Sequence, residues 1–174
     1  MRKLFALLAG LLLPLTVAPA RAEEVQSAFN DAITMFEQAR PQLGTTRFGV
    51  DIAAYRDALT LGQFASAHWG SDMVVALEAG GTGGGCAHYA AYVPLPPRDG
   101  VVPLVICPQF SREGTPALRR LTLLHEMVHV VAGADECRAM AFAAEVEKLA
   151  TGRFTPVEQY WRANGCAGSA YRLP

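Results

Sequence analysis

Two histidines and a glutamate stand at His125-Glu126-Met127-Val128-His129. On a helix, residues four apart share one face about one turn apart, so both imidazoles can reach a single Zn²⁺ at roughly 2.0–2.1 Å. Glu126 lies beside them, placed to accept a proton from a zinc-activated water and return it to the leaving amine after attack on a peptide carbonyl. The spacing therefore predicts metallopeptidase chemistry. So short a motif also arises by chance. Its weight comes from its setting, in a helix with clear start and stop signals and in a chain with export features.

A catalytic zinc takes three protein ligands and leaves one position for water. The Ala132-Gly133-Ala134 break predicts a helix hairpin. His129 lies about 6 Å before Gly133 along the axis, at 1.5 Å per residue, and a partner should lie a similar distance after it. Glu136 or Arg138 would face that level, whereas Glu145, about 18 Å past the turn, is too far. Asp135 is the rival, because its spacing from the second histidine also fits a metzincin-like site, with Ala132 where those sites have glycine. Glu136 ranks first and Asp135 second. His68 and His88 lack spaced partners and read first as ordinary histidines, although His88 would approach the site if its strand borders the cleft.

Several elements must position these groups. Thr115 is a good N-cap with Pro116 at the first helical position, and the helix runs to Ala132 before Gly133 ends it. A second helix is expected from about Asp135 to Thr151, with alanines that permit close packing. A third is expected from the capping box Thr155-Pro156-Val157-Glu158 to about Gly165. Earlier, apolar spacing predicts helices over Ser27 to Arg40, ending before Pro41, and over Ile52 to about Ala67 with Asp51 as cap. Met73 to Leu77 reads as a strand. The run Gly80-Gly81-Thr82-Gly83-Gly84-Gly85 is a loop, and no Lys-Ser/Thr follows it to make a phosphate loop. Cys86 to Leu95 and Val101 to Cys107 read as two strands joined by Pro96-Pro97-Arg98-Asp99-Gly100. The cleft should lie between the Thr115 to Ala132 helix and these strands.

The N-terminus reads as a secretory signal over residues 1–22: Arg2 and Lys3, the apolar run Leu4 to Val17, then Ala20-Arg21-Ala22 before Glu23. Of the 174 residues, 152 would remain as a single domain over residues 23–174, with twelve basic residues against sixteen acidic ones. That mildly acidic balance argues against a nucleic-acid partner or a polybasic membrane-surface role, and no second apolar run is long enough to span a bilayer. A secreted or periplasmic monomer acting on a peptide or protein substrate is expected. The four cysteines all lie in the mature part, and an even count in an exported chain suggests two disulfides among three possible pairings. Segment order favours Cys86 with Cys107 and Cys137 with Cys166. Free thiols or metal ligation are the alternative, weakened by the absence of Cys-x-x-Cys spacing.

Taken together, Cys86, Ala91-Tyr92-Val93, Val105-Ile106-Cys107-Pro108-Gln109-Phe110, Thr122-Leu123-Leu124-His125-Glu126-Met127-Val128-His129 and Gly133-Ala134-Asp135-Glu136 are similar to the aspzincin metalloendopeptidases, the deuterolysin and peptidyl-Lys metalloendopeptidase group. The resemblance spans about Cys86 to Glu136. It implies a secreted, zincin-like α+β fold, mostly helical with a small sheet or hairpin beside the His125–His129 helix, and the Cys86–Cys107 pairing. It also implies His125 and His129 as zinc ligands and Glu126 as catalytic base, with Glu136 standing where the family has an aspartate. The family's tyrosine three residues later, an oxyanion stabiliser, falls on Ala139, so Tyr160, Tyr92 or His88 would have to take that part. The lysine-specific members carry acid in a later segment, whereas Arg162-Ala163-Asn164-Gly165 here carries none. The reading is an exported zinc metallopeptidase. Its alternative is a disulfide-stapled exported binding module that keeps the fold without catalysis.

Overall fold

A computed structural model describes residues 18–112 and 114–174, with side chains from Ala22 onward. The expected signal run Leu4 to Val17 lies outside the described residues. The architecture is α+β. Helices α1 (Ala18–Leu43), α2 (Ile52–Leu59), α3 (Pro108–Arg112), α4 (Pro116–Ala132), α5 (Glu136–Thr151) and α6 (Glu158–Ala163) surround two small sheets. Strands β1 (Thr46–Arg47) and β2 (Val50–Asp51) form a short hairpin. Strands β3 (Gln63–Ser66), β4 (Ser71–Ala79), β5 (Ala91–Tyr92) and β6 (Val101–Ile106) form a mixed sheet of order β3-β4-β6-β5. Only the β4–β6 pairing is parallel.

Helix α4 is the centre of the molecule. Its start follows the sequence, with the Thr115 side chain accepting a hydrogen bond from the Leu118 backbone N–H. From Leu123 to Ala132 every residue is buried, as expected for a helix that is apolar on nearly all faces. The Tyr55 hydroxyl donates to the Leu124 carbonyl at 2.7 Å and the Trp69 indole to the Val130 carbonyl at 2.7 Å, which fix the helix along its axis. The alanine-rich face of α5 packs against α4 and α1, and the Phe36, Tyr55 and Phe142 rings stack in the core at 4.9 and 4.7 Å between centroids.

Four expectations are corrected. Helix α1 continues through Pro41, which sits in the last turn and costs a single backbone bond. The second helix stops at Leu59, not Ala67: Leu61 turns to φ 57°, and Gln63–Ser66 pairs with β4 as strand β3. The Cys86–Leu95 segment is mostly not strand. A 3-10 turn covers Gly84–Ala87 and only Ala91–Tyr92 pairs with β6, since Pro94, Pro96 and Pro97 have no N–H to offer. The capping box at Thr155 does not form. Val157 occupies the N-cap of α6 without a side-chain bond, while Thr155 donates its N–H and hydroxyl to the buried Glu147 carboxylate at 2.7 and 3.2 Å.

The turn before β6 is as expected, with Asp99 and Gly100 at φ 52° and 74° in the left-handed region that tight hairpins demand. Both favoured disulfides form, and no described cysteine is free. They fit an oxidising compartment. No described helix is long and apolar enough to cross a membrane.

Candidate metal centre

Five polar or charged residues are buried in the described fold, and three of them, His125, Glu126 and His129, belong to one run of α4. Burying so many polar groups on an otherwise apolar helix needs compensation from specific partners. His125 and His129 point their Nε2 atoms at each other, 3.0 Å apart. Glu136, in the first turn of α5, reaches into the same point, with Oε2 3.1 Å from His125 Nε2 and Oε1 3.5 Å from His129 Nε2.

The turn between the helices supplies this geometry. Gly133 adopts φ 84° and ψ −167°, which a residue with a side chain rarely tolerates, and a Cβ there would run into His68 Nε2. Its carbonyl oxygen lies 2.9 Å from His129 Nδ1 and accepts that proton, so that the neutral ring would have its Nε2 lone pair free for a metal. Asp135 is turned away. Its carboxylate caps α5 by accepting from the Arg138 N–H at 3.0 Å, so the rival ligand serves the helix terminus. Glu145 pairs with Arg47, far from the cluster in role, as expected.

Charge and burial act together here. Burial holds His125 below the usual imidazole range. Burial pushes His129 the same way, but hydrogen bonding to Glu136 and the nearby Glu126 outweigh it and hold the ring above that range. Burial pushes the Glu126 carboxyl up to about 8, against the pull of His129. Glu136 is also partly desolvated, yet its bonds to both histidines and to Tyr160 keep it well below the ordinary carboxylate range.

The donor set can be tested against zinc. Tetrahedral bonds of roughly 2.0–2.1 Å would set ligand atoms about 3.3 Å apart. The two imidazole nitrogens stand 3.0 Å apart, and Glu136 brings one carboxylate oxygen to 3.1 Å from His125 and the other to 3.5 Å from His129, separations near that figure. Two imidazole nitrogens and a carboxylate, all electron-rich, crowd one point in space. His125, His129 and Glu136 could hold a metal ion.

Of the three groups considered for the oxyanion position, Tyr160 comes nearest the cluster. Its hydroxyl donates to Glu136 Oε2 at 2.7 Å, and its ring meets His125 edge to face at 5.9 Å. Tyr92 lines a cavity of about 230 Å³ shared with Glu126, His129 and Glu136. His88 is exposed and lies along a neighbouring cavity rather than at the ligand atoms. His68 packs behind Gly133, a supporting place that sequence spacing does not reveal.

Two anchors went unread in the sequence. Glu147, 2 % exposed, joins Arg120 of α4 to the loop before α6. Gln109 donates to the carbonyls of Cys86 and Tyr89 at 2.5 Å each, pinning the wall opposite α4. A glutamine after a Cys-Pro step and an acid deep in an alanine-rich helix were the available signals.

Another cavity, about 630 Å³, lies between α1, the end of α2 and the ends of β4 and β6, and holds none of these groups. Comparison of the chain with protein-family models, characterised proteins and solved structures found no match.

Proposed function

We propose that the protein is an exported zinc-dependent metallopeptidase of the aspzincin type, with His125, His129 and Glu136 as metal ligands and Glu126 as general base. The observation that supports it most is the convergence of two imidazole nitrogens, 3.0 Å apart on a buried His-Glu-x-x-His helix, with the Glu136 carboxylate of α5, whose oxygens lie 3.1 and 3.5 Å from them.

Zinc in this set would supply Lewis acidity, lowering the pKa of a water and polarising a peptide carbonyl. Glu126 borders both cavities that open beside the ligands, so its carboxylate can meet a water and a peptide entering the cleft. It takes the proton of the attacking water and delivers it to the leaving nitrogen. In the metal-free protein, burial raises the proton affinity of this carboxyl. Tyr160 gives its one hydroxyl proton to Glu136 in this structure, and turning that proton to the carbonyl oxygen would let it stabilise the negative charge growing there. Gly133 orients His129 through the ring's other nitrogen, and Tyr160 orients the Glu136 carboxylate by bonding Oε2.

The test is hydrolysis of casein or unstructured peptides by oxidised protein, blocked by a chelator and restored by zinc. Glu126→Gln should keep one zinc and lose turnover by a thousandfold or more. Undiminished proteolysis in that variant overturns the mechanism, and zinc without turnover in the wild type leaves the binding-module reading.

A further inference from the structure

The cavity that touches His125 and Glu126 extends away from the ligands to about 540 Å³. Its wall is made by Leu118 and Leu121 of α4, Met140 of α5, and Val157 and Ala163 at the two ends of α6. We propose that this cavity is a side-chain pocket for one large apolar residue, aromatic or long aliphatic, of a peptide substrate. The inference rests on the metallopeptidase reading and names the substrate class of that site.

Three observations carry it. First, Tyr89, Leu118 and Tyr160 are 53 %, 45 % and 37 % exposed, and all three line this cavity. They are half of the exposed large apolar side chains in the described fold. Exposed apolar groups gathered round a concave site mark a place built to be covered. Second, the pocket is continuous with the reacting groups, so a side chain inside it belongs to a residue at the scissile bond. Third, the only carboxylate lining it is Glu126, at the catalytic end. A lysine or arginine entering would lose hydration and find no counter-charge, whereas a phenyl or isobutyl group loses nothing polar. A small side chain would leave the space unfilled.

Two measurements test the proposal together. The zinc-supplied protein is given a mixture of random-sequence peptides and its cleavage sites are mapped by mass spectrometry. The Glu126→Gln variant is titrated, with and without zinc, with Gly-Phe-Gly, Gly-Leu-Gly, Gly-Lys-Gly and Gly-Gly-Gly. We expect Phe, Tyr, Leu or Met to be enriched tenfold or more over Ala, Gly and Lys at one position flanking the cut. We expect Gly-Phe-Gly to bind at least tenfold tighter than Gly-Lys-Gly. Leu118→Glu, on the exposed lip, should lower the Phe-to-Lys ratio tenfold or more in both assays. Cleavage without apolar preference overturns the pocket and keeps the peptidase. Selective binding without cleavage keeps the pocket and overturns the peptidase. Neither cleavage nor selective binding overturns both.

Discussion

The hydroxyl of Tyr160 stands 2.7 Å from Glu136 Oε2, joining α6 to the first turn of α5 between residues 24 positions apart in the sequence. It binds the carboxylate oxygen that lies nearer His125, so it orients the proposed third ligand and would stand beside a metal held there. Tyr160→Phe separates the two parts. We expect it to retain zinc within about threefold in affinity and to lose kcat by about 10- to 100-fold with little change in KM, as for removal of an oxyanion donor. A purely orienting role would show as weakened zinc binding with kcat restored at saturating metal.

The choice between Glu136 and Asp135 as the proposed third ligand rests on the opposed directions of two neighbours. Glu136 faces the histidines and Asp135 faces the α5 N-terminus. Elemental analysis should find one zinc per chain in the wild type and in Asp135→Ala, and almost none in Glu136→Ala. Asp135→Ala should instead cost about 1 kcal/mol of stability through the lost cap. Zinc lost only with Asp135→Ala would move the third ligand.

The His125–His129 helix, its Thr115 cap, its stop at Gly133 and the ligand trio are all readable locally. Each depends on residues within a few turns of one another. The error at Gln63–Ser66 has a different origin: helix spacing persists there, but pairing with β4 wins over local preference. Thr155 carries a proper capping signal that is spent on Glu147, a partner that only tertiary packing brings near. Tyr160 is one of three candidates in the sequence and ranks first only once α6 is placed: the Cys137–Cys166 bond ties the end of α6 near α5, but nothing in the order of residues aims the tyrosine at Glu136 or brings Thr155 to Glu147.

Gly133 predicts a stability effect and a binding effect in one substitution. Gly133→Ala forces a side chain into a φ of 84° and against His68. We expect about 2–3 kcal/mol of destabilisation in urea melts. Because the Gly133 carbonyl receives the His129 Nδ1 proton, zinc affinity should also fall, by about 10- to 100-fold. Unchanged stability and affinity together would show the turn to be freely adaptable.

Glu126 sets a pH dependence in the metal-free protein. Its folded proton affinity, near 8, exceeds the ordinary carboxylate value reached on unfolding. Between those values the folded state binds the extra proton, so this group's contribution to stability falls as pH rises. Wild type minus Glu126→Gln, measured by urea denaturation with chelator at pH 5, 6.5 and 8, should therefore decline by about 1–3 kcal/mol. Parallel profiles would show that burial does not raise this carboxyl. Calorimetry should also show zinc displacing a proton near pH 7 in the wild type, and less of one in the variant.

The bond between Cys137 and Cys166 joins the residue next to Glu136 to the turn that follows α6. One covalent link thus holds both the carboxylate that would complete the donor set and the helix bearing Tyr160. While the chain is reduced, those two pieces depend on non-covalent packing alone to meet. Oxidation would then act as a timing step, securing the meeting of His125, Glu136 and Tyr160 only in surroundings where the bond can form.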